Sequence, residues 1–336
     1  MKKEFVILIP SYEPDEQLIK VVDSLINEEF PVLVVNDGSS EQYDSVFNQI
    51  KDKVQYIKLD HNQGKGAALK EGYRNISTLF PDAKYVITAD GDGQHSTKDI
   101  VKMSKLLLEK NECVLGIRPF NKSVPFRSRF GNYFSQTTRG LATKTYLEDD
   151  QCGLRGFPIR YLDELSKIKG NRYDYEINQL TSFQLRDYPI IPMKIELIYP
   201  KDNNKKTHFK NVKDTWNIQC IIAFQGLPSL ISLSLLIAGL LVLYHFNYSF
   251  HHLIIFPAYL ISACLTLITW SILEPSQKPL NRVLKELLFT IIKMTSVFAL
   301  MYLFTDAFKM SFFIAIPILV VLACFYNLIL SRIFKK

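Results

Sequence analysis

Two aspartates, Asp90 and Asp92, follow the end of the apolar run YVITA, with one residue between them. Gln94 follows at the next alternate position, so three oxygen-bearing side chains recur at every second residue. Such ligands suit a hard cation, Mg²⁺ or Mn²⁺, that keeps open positions for phosphate oxygens. An EF-hand loop is excluded, because it would need glycine at position 95 and glutamate at position 101, where the chain has His95 and Val101. The spacing favours a cation site, although a lone Asp-x-Asp is also compatible with a solvated acidic turn.

The first 120 residues must provide the elements that position these side chains. Short apolar runs rich in β-formers alternate there with segments whose apolar residues recur at helical spacing. The predicted strands are residues 5–10, 32–37, 54–60, 85–90 and 113–118. This alternation predicts an α/β fold, Rossmann-like, in which a mostly parallel sheet is covered by helices on both faces.

The carboxyl ends of the predicted strands carry most of the unusual polar residues of this region. In an open parallel sheet, ligands bind outside those ends. The stretches found there are SYEPD, NDGSS, DHNQGKG, DGDGQH and IRPF. Five such coincidences predict a binding crevice at one edge of the sheet.

The stretch NQGKGAALKEG places Lys65 between two glycines at a strand-to-helix turn, which suits an anionic group at a helix N-terminus. It is not a Walker loop, because the GxxxxGK pattern and the following Ser or Thr are missing. An ordinary helix start remains the alternative interpretation.

Beyond residue 217 the chain changes character and becomes strongly apolar. Four stretches, at about 218–244, 253–273, 287–304 and 312–330, are each long enough to cross a bilayer as a helix. Lys and Arg collect before the first stretch, between the second and third, and in the tail, whereas the other two loops contain only Lys309. This positive-inside pattern predicts four spans, with both termini and the polar domain in the cytoplasm.

The net charge of +7 is better explained by this topology than by nucleic-acid binding, since the lysines cluster at membrane ends. A signal peptide is rejected, because the apolar run FVILIP is only six residues long before the polar stretch SYEPD interrupts it. The five cysteines, with no Cys-x-x-Cys spacing, indicate neither a disulfide framework nor a zinc site.

The motifs IPSYEPDEQL, VVNDGSS, NQGKGAALKEGYR, TADGDGQH and DDQCGLRGF, in this order, resemble family 2 glycosyltransferases with the GT-A fold. The similarity is to their polyprenyl-phosphate, or dolichyl-phosphate-type, sugar transferase branch and covers roughly residues 4–200. The C-terminal part resembles a GtrA-like membrane domain in hydropathy and spacing. The resemblance implies a GT-A domain at 1–200, a basic interfacial segment at 201–217 and an all-α transmembrane domain at 218–336.

The same resemblance implies roles for particular residues. Asp37 would hydrogen-bond the nucleotide base, and Asp90 would contact the nucleotide sugar or a metal-bound water. The implied donor-binding residues are Pro10, Tyr12, Glu13, Asp37, Gly64, Lys65 and Asp90. The implied catalytic residues are Asp90, Asp92 and Asp150, and the implied ligands of Mg²⁺ or Mn²⁺ are Asp92, Gln94 and Asp90. This chain departs from the family pattern in one motif that would bind the nucleotide base. Relatives often have Tyr-Asn-Glu where this chain has Tyr-Glu-Pro, so the contact made by the glutamate either shifts to Glu13 or is lost.

Arginines after the fifth predicted strand suit an acceptor that is itself a phosphate, since the guanidinium fork matches phosphate geometry. Those arginines are Arg118, Arg127, Arg129 and Arg155. The resemblance implies Arg118 and Arg129 as acceptor-phosphate ligands, with Arg127 and His208 as further candidates. Surface arginines near anionic lipid are the alternative. Two interpretations stay open for Glu176: it has a role near the sugar, or it lies on a solvated helix face.

Together these features predict a multi-pass enzyme of the plasma membrane that serves cell-envelope glycans. As an inverting transferase, it would move a single sugar from a nucleotide-diphosphate sugar, a UDP-hexose or UDP-N-acetylhexosamine, to undecaprenyl (polyprenyl) phosphate on the cytoplasmic leaflet. A processive polysaccharide synthase is one alternative, although its downstream Gln-x-x-Arg-Trp pattern is missing. A lipid-linked sugar translocation component with a nucleotide-binding domain is the other. The sequence leaves open the sugar and its nucleotide, with GDP-mannose as a further donor, as well as the lipid length, whether the membrane domain flips the product, the oligomeric state and the final glycan.

Overall fold

The computed structural model describes residues 2–119, Leu147, residues 149–196 and scattered positions between 261 and 318. The chain divides into two compact units. The first comprises Met1–Asn132, Glu148–Phe183 and Tyr188–Ile218, and the second comprises Tyr133–Leu147, Gln184–Asp187 and Gln219–Lys336. The predicted domain boundaries at 200 and 217 fall outside the described residues and stay predictions.

A seven-stranded sheet forms the centre of the first unit. Its strands are β1 (Phe5–Ser11), β2 (Val32–Asn36), β3 (Gln55–Lys58), β4 (Tyr85–Thr88), β5 (Cys113–Ile117), β6 (Arg155–Pro158) and β7 (Ile190–Lys194). They lie side by side in the order β3-β2-β1-β4-β6-β5-β7. Strand β6 is antiparallel to both of its neighbours, and the other pairings are parallel. The prediction of a mostly parallel α/β sheet is confirmed.

Helices cover both faces of this sheet. They are α1 (Gln17–Asn27), α2 (Asp44–Phe47), α3 (Lys65–Leu79), α4 (Thr97–Lys110), α5 (Leu162–Lys167) and α6 (Asp174–Leu185). Successive β1 residues point to opposite faces, so Ile7 packs in the core that α1 and α4 cover. Leu8 packs in the second core, which α3 and α5 cover. The continuous apolar run of β1 therefore reflects burial on both faces.

Among the described residues, no helix is both long enough and apolar enough to cross a membrane. The four predicted spans fall almost wholly outside those residues. The scattered C-terminal positions are mostly helical, and several carry large apolar side chains that are exposed. These are Ile261, Leu280, Val283, Leu284, Leu288, Ile291, Leu303, Ile314 and Ile318.

Candidate active site

The carboxyl ends of β1, β2, β3 and β4 meet at one edge of the sheet, because these strands are parallel neighbours. The chain leaving β1 carries Tyr12 and Glu13, and the chain leaving β2 carries Asp37. Lys65 begins α3 soon after β3, and Asp90 and Asp92 follow β4. The sheet thus brings most of the predicted donor and metal residues to one edge.

The turn that carries the two aspartates is held by the start of α4. Ser96 caps this helix, since its Oγ accepts a hydrogen bond from the backbone N–H of Asp99 at 3.0 Å and donates to the Asp99 carboxylate at 2.8 Å. Within the turn, the backbone N–H of Gln94 donates to Asp92 Oδ1 at 3.1 Å. Gly93 has a φ of +77°, a conformation that side-chain-bearing residues rarely adopt. The turn therefore has a defined shape before any ligand binds.

Asp90 lies in an ion-pair network with a lysine and a second carboxylate. The ammonium nitrogen of Lys65 is 2.7 Å from Asp90 Oδ1 and 3.0 Å from Glu176 Oε1. Burial alone would raise the pKa of Asp90, but the Lys65 ammonium and the contact with His95 hold that pKa well below its usual range. Burial would likewise lower the pKa of Lys65, yet Asp90 and Glu176 together raise it. Both groups are therefore charged near neutral pH.

His95 completes the surroundings of Asp90 and was given no role by sequence reasoning. Its Nε2 is 3.3 Å from Asp90 Oδ2, and its ring is buried. Its Nδ1 has no hydrogen-bond partner among the described residues. The backbone at Gly153 also approaches closely, since a Cβ there would lie 2.5 Å from Asp90 Oδ2. The histidine belongs to the DGDGQH motif and Gly153 to the DDQCGLRGF motif, but neither residue was singled out from the sequence.

Asp92 has a different environment from Asp90. Burial and the neighbouring charge of Asp90 raise the pKa of Asp92. The Gln94 amide donates to Asp92 Oδ2 at 2.6 Å, so in this geometry the nitrogen of Gln94, and not its oxygen, faces the carboxylate. A cation beside Asp92 would relieve the repulsion between the two aspartates.

The chemistry of this donor set fits a divalent cation. Asp90 and Glu176 are carboxylates on either side of the one Lys65 ammonium, and Asp92 adds a third carboxyl group two residues from Asp90. No group of three or more His, Cys, Asp and Glu side chains among the described residues is arranged to hold a metal ion. Mg²⁺ is commonly held by one or two carboxylates together with substrate phosphates, so a sparse protein ligand set is compatible with it. The roles of Asp92, Gln94 and Asp90 as ligands remain predictions.

Asp37 is engaged with the loop that leads to Lys65. Its two carboxylate oxygens accept hydrogen bonds from the backbone N–H groups of Gln63 and Gly64, each at 2.8 Å. Burial raises the pKa of Asp37, although these two hydrogen bonds act in the opposite direction. Gly64 has a φ of +104° directly before α3. Asp37 therefore shapes this loop, and its contact with the nucleotide base stays a prediction.

The residues after β1 form a small polar cluster at the same edge. Glu13 adopts a φ of +50°, and its backbone N–H donates to Ser39 Oγ at 2.8 Å. The hydroxyl of Tyr43 lies 3.5 Å from Glu13 Oε2. Burial and the hydrogen bond to Glu13 raise the pKa of Tyr12. Pro10, within β1, is half-buried. The donor-binding roles of Pro10, Tyr12 and Glu13 are compatible with this placement and stay predictions.

Arg118 is already paired, which sequence reasoning did not anticipate. Its Nε and Nη2 donate to the two carboxylate oxygens of Asp149 at 2.7 and 2.9 Å. Asp149 is fully buried, as is the predicted catalytic Asp150 beside it. A phosphate bound by Arg118 would have to share the guanidinium with Asp149. The acceptor-binding role of Arg118 and the catalytic role of Asp150 stay predictions.

The structure corrects the expectation for Arg155, which the sequence grouped with the phosphate-binding arginines. This side chain is 1% exposed. Among the described residues, its guanidinium donates to neutral oxygens: the backbone carbonyls of Asp150, Cys152 and Glu176, and the side-chain amide of Gln179. Arg155 is therefore an internal support and is not available to an acceptor phosphate.

Glu176 is also not the solvated residue that was one of its two interpretations, because it is 7% exposed and paired with Lys65. The remaining acceptor candidates, Arg127, Arg129 and His208, lie outside the described residues.

The N-terminal part of the chain is similar in sequence to sugar-transferring enzymes. Residues 6–166 match the family described as Glycosyl transferase family 2. The UDP-N-acetylglucosamine–dolichyl-phosphate N-acetylglucosaminyltransferase of Methanococcus voltae is 28% identical over 190 residues, covering 50% of this chain and 75% of that protein. The human dolichyl-phosphate beta-glucosyltransferase is 27% identical over 223 residues, covering 57% of this chain and 67% of that protein.

A solved structure with the same kind of fold is that of glucosyl-3-phosphoglycerate synthase from Mycobacterium tuberculosis, in complex with Mn²⁺, UDP and phosphoglyceric acid. The TM-score is 0.50 at 13% identity, with 66% of this chain and 78% of that chain covered. At this identity the likeness supports the GT-A fold of the N-terminal part.

Proposed function

We propose that this enzyme transfers one sugar from a nucleotide-diphosphate sugar to a polyprenyl phosphate, because residues 6–166 match the Glycosyl transferase family 2. The proposed donor is a UDP-hexose or UDP-N-acetylhexosamine, and undecaprenyl phosphate is the proposed acceptor. The relatives named for transfer to dolichyl phosphate support this acceptor class. The phosphate oxygen attacks the anomeric carbon, the bond to the nucleotide diphosphate breaks, and the configuration inverts.

The observation that carries this proposal is the pairing of Asp90 with Lys65 and His95. A general base needs a pKa near the working pH, whereas these partners hold the pKa of Asp90 well below its usual range. Asp90 is therefore suited to orienting the donor sugar and poorly suited to removing a proton. An acceptor phosphate is already anionic near neutral pH, so its attack requires no base.

Asp92 is the residue proposed to hold Mg²⁺ or Mn²⁺, with Gln94 joining if its amide oxygen turns inward. Bound there, the cation would stabilise the negative charge that develops on the leaving diphosphate. Lys65 and the loop at Gly64 lie at the same edge and would contact the donor, with Asp37 shaping that loop. Pro10, Tyr12 and Glu13 are proposed to line the base.

The acceptor phosphate is proposed to bind Arg118 together with Arg127, Arg129 and His208, and Asp150 to act near the sugar. The chain is proposed to be a multi-pass protein of the plasma membrane, with the four apolar stretches as spans and the site on the cytoplasmic side. Exposed apolar side chains at helical positions, among them Leu288 and Ile291, support contact with lipid in the C-terminal part.

The test is a transfer assay with the purified full-length chain in detergent. Undecaprenyl phosphate, Mn²⁺ or Mg²⁺ and a panel of UDP- and GDP-sugars are supplied, and lipid products are identified by mass spectrometry. We expect a single-sugar, monophosphate-linked lipid with at least one UDP donor. Asp92→Asn should lower turnover by on the order of 10²-fold or more, because charge stabilisation of the leaving group is lost.

Asp82→Asn is the matched control, since Asp82 is exposed and lies at the amino end of β4, away from the site. It should keep wild-type turnover. A polymeric product, absence of product with every donor, or equal turnover in Asp92→Asn would contradict the proposal.

A further inference from the structure

Glu176 lies in the first turn of α6, far in sequence from the motif residues that it meets. Its carboxylate accepts a hydrogen bond from Lys65 across 111 positions of sequence. Only 9% of its side-chain surface is exposed, whereas the value is 29% for Asp90. Glu176 therefore contacts Lys65 from the more buried side of the site, whereas Asp90 lies on the more exposed side.

The Lys65 ammonium lies between two carboxylates and is shared by them. Its distances to Asp90 Oδ1 and Glu176 Oε1, 2.7 and 3.0 Å, are both in the range of charge-assisted hydrogen bonds. An ammonium has three donors, and its flexible stem lets it move unless several acceptors fix it. Glu176 supplies the second fixed acceptor, so the position of the nitrogen is set from two directions.

The backbone of Glu176 is itself fixed from within the fold. Arg155 Nη1 donates to the Glu176 carbonyl at 2.7 Å and to Gln179 Oε1 at 2.5 Å, one turn further along α6. The same guanidinium donates through Nε to the Cys152 carbonyl at 2.9 Å. Cys152 precedes Gly153, whose backbone lies against Asp90. One buried arginine thus links the strand beside Asp90 to the helix that carries Glu176.

We propose that Glu176 is a positioning residue that acts through Lys65. It holds the ammonium in a bridge to Asp90, so that Asp90 stays oriented at the donor site while Asp92 is left to the cation. This inference rests on the proposed function for the identity of the ligand, a divalent cation with a nucleoside diphosphate. The contacts themselves are independent of the sugar and of the acceptor.

Removing the charge of Glu176 should weaken cation binding in two ways. First, the site becomes less negative by one charge. Second, Lys65 loses its ion pair with Glu176, so its ammonium is free to move toward the cation position. Both effects oppose a second positive charge. Glu176→Gln keeps the size of the side chain and an oxygen acceptor, which isolates the loss of charge from a loss of packing.

The experiment measures Mn²⁺ affinity of the full-length chain, by electron paramagnetic resonance of free Mn²⁺, with and without UDP. Glu176→Gln should weaken Mn²⁺ binding by about tenfold, in the range of coupling seen between contacting residues. Glu112→Gln is the matched control, because Glu112 also pairs with a basic side chain, that of Arg160 at 2.9 Å, but precedes β5 at the opposite edge of the sheet. Its Mn²⁺ affinity should equal that of the wild type.

A double-mutant cycle separates positioning through Lys65 from a general effect of charge or folding. In a Lys65→Met background only the direct effect of the lost charge remains, so Glu176→Gln should change Mn²⁺ affinity by less than about threefold. An equal, additive effect in both backgrounds would overturn the proposal, as would wild-type affinity in Glu176→Gln. If the cycle shows coupling while no donor gives a lipid product, the positioning role stands and the proposed function fails.

Discussion

At the scale of single residues, the site separates two carboxylates that the sequence presents as near equivalents. Asp90 and Asp92 are two positions apart, yet their surroundings shift their pKa values in opposite directions. Lys65 and His95 favour the charged form of Asp90, whereas burial and the Asp90 charge disfavour the charged form of Asp92. Such a split assigns different tasks to a pair of acids. Here it leaves Asp92 as the carboxylate that gains most from a bound cation.

Gly153 gives a test of how closely Asp90 must be held. A Cβ at this position would lie 2.5 Å from Asp90 Oδ2, so Gly153→Ala must push the carboxylate away from Lys65 or His95. The φ of Gly153 is outside the left-handed range, so alanine is compatible with the backbone. We expect turnover to fall about tenfold or more, because small displacements of a positioned group are costly.

The assay compares initial rates of lipid glycosylation for the wild type and Gly153→Ala at saturating donor. Circular dichroism and the melting temperature report whether the variant is folded. Turnover close to that of the wild type in a folded variant would mean that the orientation of Asp90 does not limit the reaction.

At the scale of elements, the strands that could be predicted from the sequence are those whose residues form a continuous apolar run. Strands β1 to β5 were predicted with ends within two residues of the observed bounds. Strands β6 and β7 were not, because RGFP begins with an arginine and contains glycine and proline, and IIPMK contains Pro192. Proline is tolerated in β7, which lies at the edge of the sheet.

The residues of the candidate site likewise fall into those that local sequence patterns predict and those that only the folded chain reveals. Motifs at strand ends identified Asp37, Lys65, Asp90 and Asp92, because sheet topology fixes where strand ends meet. The partners that tune those groups come from distant segments, so no local pattern revealed the pairing of Glu176 with Lys65 or of Asp149 with Arg118. Arg155 was misjudged because arginine is usually exposed, and only a cage of carbonyl oxygens in the folded chain permits its burial.

Arg155 is expected to be important for the stability of these elements. Arg155→Met would leave buried carbonyl oxygens of the 150–152 loop and of α6 without a donor, at a cost of about 3 kcal/mol. Arg155→Lys should recover little, since an ammonium cannot reproduce the guanidinium fork. Thermal unfolding of the purified chain measures the loss.

Arg160→Met is the matched control, because Arg160 is exposed and pairs with Glu112 at the surface. Its cost should be below about 1 kcal/mol. Equal destabilisation by the two substitutions would show that the buried guanidinium has no special structural role.

At the scale of the whole molecule, the chain joins a charged N-terminal part to an apolar C-terminal part. The described site belongs entirely to the first unit. Leu280, Leu284, Leu288 and Ile291 are helical and exposed, and their spacing of four, four and three residues is that of one helical face. Leu280 and Leu284 lie before the predicted start of the third span at 287. An apolar face open to water would be unfavourable, whereas lipid would cover it without cost.

Membrane topology is tested with variants that each carry one introduced cysteine. The thiols are treated with a water-soluble maleimide in right-side-out vesicles. The substitution Lys309→Cys lies in a loop predicted outside, so its thiol should be labelled in intact vesicles. The substitution Lys278→Cys lies in a loop predicted inside, so its thiol should be labelled only after permeabilisation. The native Cys264, within the predicted second span, should be labelled only after the bilayer is dissolved, because lipid excludes the reagent from its exposed surface. Peptide mapping by mass spectrometry assigns each label, and labelling of the Lys278→Cys variant but not of the Lys309→Cys variant in intact vesicles would reverse the predicted orientation.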